Sequence, residues 1–151
     1  MIRRRRAGAA LAVALASACG ASSATAPASR AAAPPPAQAV QKILQLNAPG
    51  APVDLAAALP GGYVTVVDFW SESCEACKPL AALLETGVAS ESRVVIRKID
   101  VGDGFTPVAE AYQISALPRF FVYDRHKRLR YDLVGPDCRD AATYARRLAA
   151  E

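Results

Sequence analysis

The run Tyr63-Val64-Thr65-Val66-Val67-Asp68-Phe69-Trp70 constrains this chain more than any other stretch. It is β-branched, aromatic and almost continuously apolar, with one carboxylate set into it. A strand of this kind reads as central, covered on both faces by other elements. Ser71-Glu72-Ser73 makes a short turn after it. From Cys74 on, Leu80, Leu83, Leu84 and Val88 fall at helical spacing. Residues 94–100 read as another strand, and two such strands joined by a helix should run parallel with a right-handed crossover.

The elements on either side complete the pattern. Residues 40–46 have a mixed apolar pattern that suits a first strand or a short helix. Asn47-Ala48-Pro49-Gly50 is a turn cluster. Asp54 can cap a short helix over 55–59, which Pro60-Gly61-Gly62 ends. Thr106 and Pro107 open a further helix, with proline at its first position. Residues 120–123 are a strand, and Arg125-His126-Lys127 turns the chain back into a strand over 129–134. Asp137 can cap a last helix running to about Ala149, with Asp140 three residues later favouring the positive end of the dipole. This order predicts a three-layer α/β/α sandwich around a central mixed β-sheet.

Composition locates this domain. The chain has 151 residues and is 52% hydrophobic, but 16 of its first 39 residues are Ala and four are Pro. The packed unit is therefore expected over 39–151, enough for one core. The net charge of +4 is equally local. Arg3, Arg4, Arg5 and Arg6 account for it, since setting them aside leaves the body with 14 basic and 14 acidic residues. The body thus lacks a basic nucleic-acid footprint, and no nucleic-acid partner is expected. Balanced charge and apolar content exclude a disordered polyelectrolyte. Four cysteines are too few for a disulfide-dense miniprotein.

Residues 1–26 read as a signal peptide. The four arginines form a positive n-region, Ala7 to Ala18 form an apolar h-region, and the run is too short to span a bilayer. Cys19 follows in Leu15-Ala16-Ser17-Ala18-Cys19-Gly20, which resembles a bacterial lipobox, although Ala16 stands where Leu is usual. Three outcomes stay open: lipidation of Cys19, ordinary cleavage after the Ala16-x-Ala18 pair, or an Ala-rich disordered tail on a chain that is not exported. Residues 19–38, rich in Ala, Ser and Pro and containing Pro34-Pro35-Pro36, read as a semi-extended linker. The expected location is the periplasm or cell envelope, with a lipid tether to a membrane if Cys19 is acylated.

The chemistry lies in Cys74-Glu75-Ala76-Cys77, a C-x-x-C between a buried strand and a helix. Helix N-terminal amides and the positive end of the dipole stabilise a thiolate on the first cysteine. The second lies one turn on, close enough to form a disulfide or to attack one. Zinc sites and structural disulfides use the same spacing. Zinc needs two further ligands, and the chain offers only Cys138 and His126, in no ligand spacing, so no metal is expected.

Val67-Asp68-Phe69-Trp70-Ser71-Glu72-Ser73-Cys74-Glu75-Ala76-Cys77-Lys78 closely resembles the active-site segment of the thioredoxin family, typically VDFWAxWCGPCK. Lys98-Ile99-Asp100 resembles the family's K-x-D strand. Ile114-Ser115-Ala116-Leu117-Pro118 resembles its I-x-x-x-P segment, whose proline is cis, and Leu133-Val134-Gly135 resembles the glycine after its last strand. The resemblance implies a thioredoxin fold and a protein thiol–disulfide oxidoreductase with no cofactor beyond its own Cys74–Cys77 disulfide. It casts Cys74 as nucleophile, Cys77 as the resolving thiol, Asp68 as a buried proton acceptor and Lys98 as the group tuning that acid. It also implies that Pro118 faces the thiols and presents the Leu117 backbone to an extended substrate strand, with Gly135 near the same surface. Protein thiols and disulfides would be the partners of a monomer, and a reductase in the envelope would need a membrane dithiol as electron donor.

The departures matter. Ser73 replaces the tryptophan usual before the first cysteine, which opens the surface beside the thiol. Glu75-Ala76 replaces Gly-Pro. The Glu75 charge opposes a thiolate at Cys74 and favours the disulfide form, making the pair more reducing, whereas the helix end and Lys78 push the other way. Trp70 is expected to pack beside the site. Cys138 is read as a passive thiol or as a third redox cysteine, and the basic turn 125–130 as a solvated hairpin or a docking patch. Competing functions are a binding or chaperone module with incidental cysteines, and a metal carrier, against which the resemblance speaks, since copper chaperones of this fold use a wider cysteine spacing and a paired histidine.

Overall fold

The structure is a computed structural model that describes residues 39–151. The signal peptide, the Cys19 site and the linker up to residue 38 lie outside the described residues. The described residues form ten elements, nine in the expected order and a 3₁₀ helix added before the last: β1 (Ile43–Gln45), α1 (Leu55–Ala58), β2 (Val64–Trp70), α2 (Cys77–Gly87), β3 (Val94–Asp100), α3 (Pro107–Ala111), β4 (Arg119–Tyr123), β5 (Leu129–Val134), the 3₁₀ helix (Gly135–Asp140) and α4 (Ala141–Ala150).

The sheet order is β1-β3-β2-β4-β5. β1 and β2 both run parallel to β3, with Val66 opposite Ile96 and Asp68 opposite Lys98. β4 runs antiparallel to β2 and β5 antiparallel to β4. The sheet is mixed, as the element order predicts. Side chains alternate across a strand, so β2 feeds two cores. Val64 and Val66 pack with Leu84 of α2, with Val88 just after that helix, and with Ala145 and Leu148 of α4. Val67 and Phe69 pack with Leu55 of α1 and Val108 of α3. Six of the seven β2 residues are buried, which is why the run carries no polar alternation.

Local chemistry sets the helix ends. Asp54 accepts from the Ala57 N–H at 3.1 Å, and Thr106 caps α3 with Pro107 following it. The ambiguous stretch at 40–46 yields a three-residue edge strand, β1. Three expectations are corrected. Asp137 does not cap the last helix: Gly135 and Pro136 start a 3₁₀ helix that contains it, and α4 begins at Ala141 without a side-chain cap. α2 starts at Cys77, because a tight turn closed by Cys77 N–H to Cys74 O at 3.1 Å occupies the preceding residues. Leu83 is exposed, and the buried face of α2 runs through Cys77, Ala81 and Leu84.

Candidate active site

β2 ends at Trp70, and the turn after it delivers Cys74 and Cys77 to the same edge of the sheet. The two form a disulfide with their Cα atoms 5.3 Å apart. They are not equivalent. Cys74 is half-buried and borders a groove, whereas Cys77 is buried within the first turn of α2. The Cys77 N–H donates to Cys74 Sγ at 3.2 Å. A backbone donor at the start of an eleven-residue helix is aimed at the first sulfur, an arrangement that stabilises negative charge on it.

Asp68 lies on the β2 face turned toward α2 and is 1% exposed. Neither carboxylate oxygen has a hydrogen-bond partner among the described residues. Burial pushes its pKa up to about 6, Lys98 pulls it down, and Glu85 adds a smaller upward push. Lys98 comes from the register partner on β3, its Nζ 3.6 Å from Asp68 Oδ2 and 3.4 Å from Glu85 Oε1. A cleft lined by Asp68, Trp70, Cys77, Ala81, Glu85 and Lys98 brings the buried acid and the second cysteine to one opening. Trp70 packs at its rim, donating to Gln45 Oε1 at 3.2 Å, with Lys98 Nζ 5.5 Å from the ring centre.

The groove at Cys74 is walled by Ser71, Ser73, Asp103, Ala116 and Leu117. Leu117–Pro118 is a cis peptide. Pro118 is buried, and its carbonyl accepts from the Gly135 N–H at 2.9 Å. Gly135, with φ of 57°, thus braces Pro118 and does not line the groove. Glu75 and Lys78 form an exposed ion pair at 2.6 Å, so the two charges expected to oppose each other at Cys74 face one another instead.

Cys138 is 1% exposed, with its Sγ 3.4 Å from Leu133 O and 3.6 Å from Pro118 O. Burial pushes its thiol up to about 11. In the basic turn, Arg128 and Arg130 are tied to the buried Asp124. Among the described residues no three His, Cys, Asp or Glu side chains gather as metal ligands would.

Two site residues escape a reading of the sequence. Glu85 shares Lys98 with Asp68, and its signal is the spacing 77, 81, 85, one residue per turn on one helix face. Asp103 accepts from Ser73 Oγ at 2.5 Å across thirty residues of chain, and no local pattern announces that contact.

Comparison with known proteins agrees with this geometry. The family model described as Thioredoxin matches residues 61–145. A thioredoxin of Echinococcus granulosus is 36% identical over 69 residues, covering 46% of this chain and 64% of that protein. A thioredoxin of Chlamydia caviae is 33% identical over 66 residues, covering 44% and 64%. The aligned stretch therefore spans less than two thirds of these relatives. Among solved structures, the reduced thioredoxin pre-protein of Schistosoma mansoni superimposes with a TM-score of 0.57 at 25% identity, over 72% of this chain and 99% of that one. With its mixed five-stranded sheet, its C-x-x-C at the end of the central strand and a family match over more than half its length, the chain belongs to the thioredoxin family.

Proposed function

We propose that this chain is a thiol–disulfide oxidoreductase acting on proteins, and that it works as a reductase. The observation that carries the reading is the asymmetry of the cysteine pair: one sulfur borders the groove and receives an amide N–H, while the other is buried and shares a cleft with a carboxylate that has no hydrogen-bond partner among the described residues. In the reduced protein the Cys74 thiolate attacks a partner's disulfide. One new S–S bond forms as the partner's bond breaks, and the partner's leaving thiolate takes a proton. Asp68 accepts the Cys77 proton through the shared cleft, which its raised pKa favours near neutrality. The Cys77 thiolate then attacks Cys74 Sγ, and the partner departs as a dithiol with the two electrons. The chain is left as the Cys74–Cys77 disulfide, the state in the structure, and a dithiol donor must restore it.

Lys98 tunes Asp68 in this scheme, and the Ala116–Leu117 backbone offers an edge to an extended partner strand. No backbone hydrogen bond among the described residues uses either of those two residues, which supports that role. Ser73 leaves the approach to Cys74 open. The sequence of residues 1–38 supports export, with Cys19 as a point of lipid attachment in the cell envelope and a membrane dithiol as the electron source.

The test is a trap. The Cys77→Ala chain, incubated with insulin or an envelope extract, should accumulate mixed disulfides through Cys74 that dithiothreitol releases. The doubly substituted Cys74→Ala, Cys77→Ala chain should accumulate none. If Cys77→Ala captures no partner while Cys74 still alkylates readily, the enzymatic reading fails.

A further inference from the structure

Three of the four phenylalanines, Phe69, Phe120 and Phe121, are buried in the core. The fourth, Phe105, is fully exposed. It follows Gly104 in the loop between β3 and α3, where Gly102 and Gly104 have φ of 65° and 83°. A lone exposed apolar side chain is ordinary on a protein surface. Two features set Phe105 apart.

The first is that its loop is held on both flanks and tied to the catalytic turn. The Gly102 N–H donates to Asp100 Oδ1 at 2.8 Å, and Thr106 Oγ1 donates to Val101 O at 2.6 Å. A Cβ at Gly102 would meet Gly50 N at 3.2 Å, so the backbone there is packed closely. Between these anchors, Asp103 accepts from Ser73, the residue next to Cys74. The second is continuity. The groove at Cys74 runs into a neighbouring cleft, and Gly104, Ala109, Ile114 and Ser115 line both. Phe105 lines that second cleft together with Gln113 and Arg119. The Arg119 guanidinium is already engaged by Asp132 and by Gln113 O, so it offers a fixed wall and not a free charge.

From this geometry we infer that Phe105 is a docking anchor for the protein substrate: an extended segment carrying the target disulfide lies from Cys74 into the second cleft and packs a bulky apolar side chain on the Phe105 ring. This rests on the redox reading of Cys74 and names its substrate class, an extended polypeptide with an apolar residue near its disulfide. A small disulfide reacts at the groove alone and never reaches the ring. Because Phe105 supports no core contact, its removal leaves the fold intact.

The experiment compares insulin with the small disulfide dithiobis-nitrobenzoate, using the full reduced chain and the Phe105→Ala and Phe105→Leu variants. Phe105→Ala should raise KM for insulin about fivefold, the scale of a single apolar anchor in an interface. Its kcat and its rate with the small disulfide should stay at wild-type values, and Phe105→Leu should restore most of the insulin KM. An unchanged insulin KM in Phe105→Ala overturns the proposal, as does an equal loss with both substrates. A wild-type chain that reduces neither overturns the redox reading and the proposal together. Reduction of both by wild type, with no difference in Phe105→Ala, overturns the proposal alone.

Discussion

Asp68, near the end of β2, and Asp124, just past the end of β4, are 1% and 4% exposed. Asp124 accepts from the His126 N–H at 2.9 Å, the Arg128 N–H at 3.0 Å and Arg128 Nε at 2.8 Å, with an Arg130 nitrogen at 3.4 Å. These donors hold its carboxyl well below the usual carboxylate range. Asp68 has no hydrogen-bond donor among the described residues, and its pKa rises to about 6. Similar shielding from solvent has opposite consequences, because Asp68 lies deep beneath α2, where burial penalises its charge, whereas Asp124 lies shallow in a turn whose hydrogen bonds favour the charge. The satisfied carboxylate stitches a hairpin turn. The unsatisfied one stays ready to take a proton, and it is the one that shares a cleft with Cys77.

Removing Asp124 should have the largest effect. Asp124→Ala leaves two backbone N–H groups of the turn without their acceptor and should lower the unfolding free energy by about 4 kcal/mol at neutral pH. Urea unfolding of the oxidised protein measures it, and a loss under about 1 kcal/mol would erase the contrast between the two sites. Since the Asp124 pKa is depressed, its contribution is present above pH 3.8 and is lost as pH falls below that.

Asp68→Asn should act in the opposite direction. The folded chain holds the Asp68 proton more tightly than the unfolded chain, so its stabilising contribution is complete below pH 3.8 and disappears as pH rises through about 6. By about pH 8 the ionised carboxylate costs the fold about 3 kcal/mol. The substitution should return about that much at pH 8 and nothing near pH 4, with urea midpoints at the two values as the measure. The same variant should reduce insulin about a hundredfold more slowly, the low end of what a positioned proton acceptor contributes. A gain that does not change with pH would remove titration from the explanation.

The smallest change should follow Lys98→Met. It deletes the cation that pulls Asp68 down, so the inflection in the stability-against-pH curve should move above about 6 and the total loss of stability on the alkaline side should grow. An inflection that stays in place would mean that Lys98, 3.6 Å away, is too well hydrated to be felt.

Most of the architecture was legible because its signals are local. The apolar run at 63–70 required cover on both faces, the bounds of β3 matched the expected strand at 94–100, and Asp54, Thr106 and Pro107 marked helix starts through bonds within one turn. The reading left open and the mistaken ones also have local causes. A three-residue edge strand leaves too little pattern to separate strand from helix at 40–46. Asp137 and Asp140 carry the chemistry of caps, but Gly135 and Pro136 tighten the backbone before a cap can form. The cysteine pair was readable from spacing, and Asp68 and Lys98 from resemblance. Glu85, Asp103 and Phe105 needed coordinates. What they do depends on a lysine thirteen residues away, a serine thirty residues away and the course of a groove, and none of these leaves a trace in neighbouring sequence.

The burial of Cys138 has a consequence for chemical fidelity. Among the described residues three thiols could in principle pair in three ways, and oxidation alone does not choose between them. With Cys138 shut behind Pro118 and Leu133 and kept protonated far above neutrality, it can neither intercept a mixed disulfide nor draw Cys74 into the wrong partnership. Among the described residues a single oxidised pairing is thus available, and in the proposed cycle every turnover would bring the domain back to it.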